Sequence, residues 1–257
     1  SFNLVMGATP RVEGSAAGVS TISGSLIMSG TKNRTKDEID NAVDYIGARL
    51  SASSNNIYLS CLTKHMTTGL ELMSDVLINA NFPQSEVDRI LEMNKSEIVS
   101  TKSDEGAISR NVRSIANFPK THPYGEVMTE ATLENINRDL IVKYFKGAFT
   151  PKGSYLVVVG DINKEDATKM VEEFFGSWSA GDVYKIALVD ANTNSGNRVI
   201  FVDKPGSDQS VISITFPMNI KPSDDDYMKL TVLNGILGGG VFGNRLMQNL
   251  REDKAYT

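Results

Sequence analysis

This sequence is poor in imidazole and thiol groups, the side chains that most often bind zinc. It has two histidines, His65 and His122, and one cysteine, Cys61. A zinc site needs three or four imidazole, thiolate or carboxylate ligands held together by the fold, and no short spacing joins the two histidines. His122 precedes Pro123 and is expected to hydrogen-bond within a turn, while His65 opens a helix without a partner to name. Cys61 has no second cysteine for a disulfide, so it reads as core filler and leaves the redox compartment undecided. Gly238, Gly240 and Gly243 satisfy G-x-G-x-x-G, the turn that brings a backbone against a pyrophosphate. That turn must follow a strand and open a helix. Here Thr231 to Leu237 ahead of the glycines is helix-like, and no Lys-Ser or Lys-Thr follows as a phosphate loop requires. The glycines read as a connector between helices.

The totals narrow the partners. A chain of 257 residues, 40% hydrophobic and 22% charged, has room for two modest globular domains. A net charge of -5, with a pI near 5.2 and no basic stripe, argues against a nucleic-acid or acidic-membrane surface. No apolar run reaches the roughly 20 residues that span a bilayer, and the N-terminus does not read as a signal peptide. The opening SFNLVMGAT resembles the middle of a strand, so the chain is expected to begin part-way through a longer protein and to be a fragment of it.

The elements that must position any site follow from periodicity. Phe2 to Gly7 reads as a strand, and Val19, Ile22 and Leu26 lie at helical spacing within Ala16 to Met28. Thr35 with Glu38 makes a capping box before Ile39, Ala42, Val43 and Ile46, and Gly47 closes that helix. Ala48 to Ser53 and Ile57 to Leu62 read as paired strands. A helix with Leu70, Met73, Val76 and Leu77 inward follows. Pro83 then starts a helical region from about Ser85 to Phe118, with Val87, Ile90, Leu91, Ile98, Ile108, Val112 and Ile115 as its buried face and a break near Ser103 and Asp104. From Thr121 to Trp178 the order is turn, helix, strand, helix. Asn137 and Asn163 are the N-caps, Leu156 to Val159 reads as a strand buried on both faces, and Gly176 as a left-handed stop. Past Trp178 the sequence loosens. Arg198 to Val202 and Ser210 to Phe216 read as strands about the Lys204-Pro205-Gly206 turn. A helix from Asp224 to Leu237 carries Met228, Val232, Leu233 and Ile236 on one face, and another begins at Asn244.

Three pieces in this order resemble the pitrilysin/insulinase-like zinc peptidases: the HPYG turn His122 to Gly125, the strand end Val157 to Asp161, and the helix end Phe174 to Trp178. Active halves of that family carry H-x-x-E-H near the start of the domain. Matching Gly30-Thr31 to the family's Gly-Thr puts Thr21 and Ser25 at the two histidines and Gly24 at the glutamate. Neutral hydroxyls are poor zinc ligands, and glycine cannot be the general base. Glu97 falls near the family's third ligand, alone. LGGG followed by Asn244-Arg245-Leu246 and Leu250-Arg251-Glu252 also matches. In the noncatalytic half of the family, an arginine and a later tyrosine reach across to hold the substrate backbone and its oxyanion. Arg251 matches the arginine. The tyrosine position falls directly after Thr257, with Tyr256 close by inside the chain. The alternative for Arg251 is a surface ion pair with Glu252 or Asp253.

The expected fold is α+β. Two related domains, residues 1–184 and 198–257, flank a linker at 185–197, each with a mixed, mostly antiparallel sheet and helices on one face, the second incomplete. The resemblance implies a zinc-less subunit or half of a metallopeptidase, binding no cofactor itself. Its expected partners are a zinc-bearing subunit or half and a peptide substrate. A purely structural or assembly subunit of the same fold is the alternative. The resemblance points to the periplasm or cell envelope, with the cytoplasm as the other option.

Overall fold

The computed structural model describes residues 1–7, 10–179, 181, 198–216, 218, 220–240 and 243–256. In chain order its elements begin with β1 (Phe2–Val5), α1 (Val19–Leu26), α2 (Lys36–Tyr45), β2 (Arg49–Ala52), β3 (Asn56–Ser60) and α3 (Met66–Ile78). They continue with α4 (Gln84–Thr101), α5 (Glu105–Asn117), α6 (Glu130–Leu133), α7 (Arg138–Ala148), β4 (Tyr155–Val158) and α8 (Lys164–Phe175). Last come α9 (Asp225–Asn234) and α10 (Arg245–Met247). The chain divides into two compact units, Ser1–Thr215 and Phe216–Thr257. The expected linker at 185–197 lies outside the described residues.

The first unit is α+β, with an antiparallel sheet in the order β2-β3-β1-β4. Register explains which side is core. Phe2 pairs with Leu59 and Val158, Leu4 with Ile57 and Leu156, and Leu50 with Leu59, so these apolar side chains share one face. The opposite face carries Asn3, Arg49, Ser51, Asn56, Tyr58 and Tyr155. Among the described residues, helices cover the apolar face: Ile22, Leu26, Ile39, Leu70, Met73, Val76, Leu77, Val87 and Ile141 join the sheet in one buried core. The Thr35–Glu38 capping box starts α2, and Asn137 and Asn163 cap α7 and α8.

This single helical layer corrects the reading of the Leu156 to Val159 run. Such a run is buried on both faces only in a sheet covered on both sides. Here β4 is an edge strand, and its side chains alternate. Leu156 and Val158 turn inward, whereas Tyr155, Val157 and Val159 are exposed. Gly176 is also corrected: its φ of -60° is right-handed, and α8 ends with the Gly176 N–H still bonded to the Glu172 carbonyl. The break before α5 falls where expected, with the Asp104 side chain capping the new helix. The buried face does not continue across it. Val87 and Ile90 are buried, but nothing in α5 is, and Ile115 is 48% exposed.

Residues 198–216 form no strand ladder, contrary to the expected pair. The Lys204-Pro205-Gly206 turn is present, with Gly206 at φ 83° and the Ser207 N–H bonded to the Lys204 carbonyl. From there the chain fastens to α5. Lys204 Nζ lies 2.5 Å from Glu105 Oε1, Ser207 Oγ donates to the same carboxylate, Ser213 bonds Ser109, and Thr215 Oγ1 bonds Asn117 Oδ1 at 3.0 Å. With Lys204 and Ser207 both bonded to it, the Glu105 carboxyl is pulled down to about 2.

In the second unit, α9 runs into a π-helical turn, Gly235–Gly239, and α10 into another, Gln248–Asp253. The face expected to be buried is open: Met228, Val232, Leu233 and Ile236 are all exposed. Asn244 is buried, capping α10 through its Oδ1 and donating from Nδ2 to the Gly240 carbonyl. The glycine run follows a helix, as its periodicity indicates, rather than the strand a dinucleotide turn requires.

Candidate functional site

The residues that the resemblance matches to a zinc motif, Thr21, Gly24 and Ser25, lie on α1. The helix starts from a left-handed Gly18 (φ 108°), which offers no side chain to cap it. Glu13 supplies the cap from upstream. Its carboxylate accepts the Gly18 N–H at 2.6 Å and the Ser20 N–H at 3.1 Å, satisfying donors that the first turn leaves open. Glu126, just past the HPYG turn, in turn accepts the Glu13 and Gly14 N–H groups at 2.7 and 2.6 Å. Two carboxylates thus hold the entry to α1.

The loop after α1 is fixed by a buried carboxylate. Asp75 on α3 accepts from Thr31 Oγ1 at 2.8 Å, Asn33 Nδ2 at 2.6 Å, Asn79 Nδ2 at 2.8 Å and Arg34 Nη1 at 2.9 Å. Burial works to raise this carboxyl, but the hydrogen bonds from Thr31, Asn79, Asn33 and Arg34 outweigh it and hold the group below its usual range. Sequence reading passed over Asp75, Arg34, Glu13 and Glu126. One signal was present. An aspartate beside Val76 and Leu77, inside the apolar stripe of α3, demands partners wherever the helix packs.

Between these anchors lie the residues matched to the zinc motif. Thr21 and Ser25 are exposed, Gly24 is buried, and Ser25 Oγ donates to the Ile22 carbonyl at 2.9 Å. Glu97 is exposed on α4, which packs against α1. The donor set does not fit zinc: two alcohols and a hydrogen atom stand where imidazoles and a carboxylate would be needed. Among the described residues, no three His, Cys, Asp or Glu side chains come together to hold a metal.

The histidines stay apart in role. His122 is buried, and its Nδ1 accepts the Tyr124 N–H at 3.0 Å, which places the ring proton on Nε2. The ring stacks on Phe118 at 4.6 Å, and the turn is tight enough that a Cβ on Gly125 would lie 2.2 Å from the Pro119 carbonyl oxygen. His65 is half-buried just ahead of α3 and caps nothing through its side chain. Cys61 is half-buried, and burial pushes its thiol up, away from thiolate reactivity.

Arg251 lies exposed in the last π-helical turn. The chain then reverses: the Ala255 N–H bonds the Arg251 carbonyl at 3.0 Å, and the Tyr256 N–H bonds the Leu250 carbonyl at 2.8 Å. Ala255 takes a left-handed φ of 52° to do this, and Tyr256 is 74% exposed, with Lys254 Nζ 6.0 Å from its ring centre. A cavity of about 500 Å³ between the starts of α3 and α8, and one of about 290 Å³ between β4 and α8, are lined by none of Thr21, Gly24, Ser25 and Glu97.

Comparison with known proteins fits this arrangement. Residues 4–124 match the model of the insulinase family, peptidase family M16, and residues 135–257 match that of the peptidase M16 inactive domain. An uncharacterized zinc protease of Bacillus subtilis is 26% identical over 96% of this chain and 59% of its own length. A protein of Helicobacter pylori named a non-peptidase homolog is 21% identical over 80% of this chain and 48% of its own. The mitochondrial-processing peptidase subunit beta of Neurospora crassa is 23% identical over 83% of this chain and 46% of its own. The chain therefore spans only part of the length of these relatives. The fold agrees with the crystal structure of a Helicobacter pylori protease, with a TM-score of 0.81 at 19% identity over 99% of this chain and 63% of that one. A peptidase M16 inactive domain from Pseudomonas fluorescens gives a TM-score of 0.79 at 19% identity, covering 99% and 62%. With family models matched on both sides of the HPYG turn and no H-x-x-E-H anywhere in its sequence, this chain belongs to the insulinase-like M16 peptidase family as a member without the zinc motif.

Proposed function

We propose that this chain is the zinc-less subunit or half of a two-part M16 peptidase. It pairs with a zinc-bearing subunit or half and helps hold the peptide through Arg251. The observation that carries this reading is the contrast between two places: α1 offers no ligand at Thr21, Gly24 or Ser25, whereas the arginine of the L-R-E match is kept and exposed. A guanidinium is permanently charged and donates several N–H groups to a carbonyl or oxyanion, so it contributes to substrate binding without metal chemistry of its own. One relative is named as a subunit of a processing peptidase, which supports a paired arrangement. The periplasm or cell envelope is the compartment proposed, and fractionation of the native host checks it.

The test is reconstitution. Where the zinc-bearing part is a separate subunit, the full-length protein alone should contain substoichiometric zinc by elemental analysis and should not cleave a fluorogenic peptide library; where it is the other half of the same polypeptide, its H-x-x-E-H should lie outside residues 1–257. Adding an H-x-x-E-H subunit from the same organism should produce turnover exceeding that subunit's own. Stoichiometric zinc with solo proteolysis, or no change on mixing, overturns the proposal.

A second reading, a purely structural assembly subunit, is favoured by one observation. A similar protein of Helicobacter pylori is named a non-peptidase homolog. Substitution of Arg251 separates the two readings.

A further inference from the structure

Glycine inside a helix costs stability relative to alanine unless its missing side chain makes room for something. Gly24 makes room for backbone. A Cβ built on it would lie 2.4 Å from Ser54 N, 2.5 Å from the Ser53 carbonyl carbon and 2.9 Å from Ser54 Cα. All three distances fall well inside carbon contact distance, and no side chain is there to swing aside. The tip of the β2–β3 hairpin therefore sits directly on α1 at the position matched to the family's glutamate.

That tip has little freedom to retreat. Across the hairpin, the Ser53 N–H bonds the Asn56 carbonyl at 2.9 Å. Just past β1, the Met6 N–H bonds the Asn55 carbonyl at 2.8 Å, and on β1 Asn3 Oδ1 accepts from Asn56 Nδ2 at 3.2 Å. Ser53 Oγ adds a bond to Asn55 Oδ1 at 3.0 Å. Displacing the tip would break its bonds to Asn3 and Met6. Thr21 and Ser25 differ, because both are exposed on the same helix and larger side chains there meet solvent.

We infer that the general-base position of the zinc motif is sterically closed in this chain, shut by the Ser53–Ser54 backbone packed on Gly24. The loss of peptidase chemistry is then built into the packing of α1 on the hairpin and is more than one substitution deep. Histidines placed at 21 and 25 would still find no room for the carboxylate that activates a water. This rests on the reading that residues 21, 24 and 25 stand at the motif positions, yet its test reads stability and local structure, so it fails or succeeds apart from any peptidase assay.

The experiment compares Gly24→Ala, Gly24→Glu and Thr21→His/Ser25→His in the full-length protein by thermal unfolding. Amide chemical shifts or a crystal structure of Gly24→Ala report on Ser53 to Asn56. Alanine ordinarily stabilises a helix interior relative to glycine, so the sign discriminates. Closure predicts that Gly24→Ala lowers Tm by about 5 °C or more, that its largest shifts fall at Ser53 to Asn56, and that Gly24→Glu loses more or fails to fold. The Thr21→His/Ser25→His variant should stay within about 2 °C of wild type, the range expected of surface changes. A Tm for Gly24→Ala equal to or above wild type, or a folded Gly24→Glu with the hairpin tip unmoved, overturns the inference.

Discussion

Arg34 Nη1 lies 2.9 Å from Asp75 Oδ2, and the Asp75 side chain is 5% exposed. The pair joins the loop after α1 to α3, and the other Arg34 nitrogen, Nη2, reaches Glu71 Oε1 at 2.5 Å on the surface. Glu71 is half-exposed, so its share is screened by water. Asp75 is not, and its four donors define the network.

Asp75→Asn should therefore destabilise the protein by about 2–4 kcal/mol, since it leaves Arg34 only the water-screened Glu71 as counter-charge and turns one acceptor into a donor facing other donors. Urea unfolding at neutral pH measures this. A loss below about 0.5 kcal/mol, typical of a surface change, would show that the network is not stabilising.

The same carboxyl sets a pH dependence. Its folded value is held below the ordinary 3.8. Its contribution is fully present above the unfolded value and is lost as pH falls through the folded one. Wild type should lose stability on acidification below about pH 4, and Asp75→Asn should show a shallower acid slope over that range. Equal slopes would remove Asp75 from the acid transition.

Ser23, next to Gly24, is fully buried, and its Oγ has no hydrogen-bond partner among the described residues. Ser23→Ala removes an unsatisfied hydroxyl and improves helix propensity, so stability should rise by about 0.5–1.5 kcal/mol. A drop in the urea midpoint would mean that the hydroxyl is bonded in solution.

Glu13 and Glu126 act in series on the start of α1. Each alanine variant should cost about 1–2 kcal/mol, the scale of a lost helix cap. The double variant should cost less than the sum by at least about 0.5 kcal/mol, because Glu126 positions the loop from which Glu13 caps. Strict additivity would show the two carboxylates to be independent.

Arg251→Ala in a reconstituted pair should lower peptide turnover by about tenfold or more, the scale of a lost oxyanion donor, while co-elution of the subunits is unchanged. Arg251→Lys should recover only part of the loss, because a point charge does not replace a fork of N–H donors. Full turnover with Arg251→Ala would favour the assembly reading. Loss of co-elution would assign the arginine to the interface.

Local chemistry was legible in the sequence because it acts over a few residues. The Thr35–Glu38 capping box, the asparagine caps of α7 and α8, the β2–β3 hairpin, the His122 turn and the absence of H-x-x-E-H all follow from residue types at short spacing. Burial does not act over short spacing. Leu156 to Val159 carries the same side chains whether a sheet is covered on one face or two, and only the placement of β4 at the edge beside a single helical layer exposes Val157 and Val159. Ile115 reads as core for the same reason and is exposed. Asp75 meets Thr31 across 44 positions and Glu126 meets Glu13 across 113, separations that no periodicity encodes. Gly24 divides between the two. Its type already said that no base stands there, but that the place itself is occupied by the Ser53–Ser54 backbone is a fact of packing between a helix and a hairpin, decided only when the chain folds.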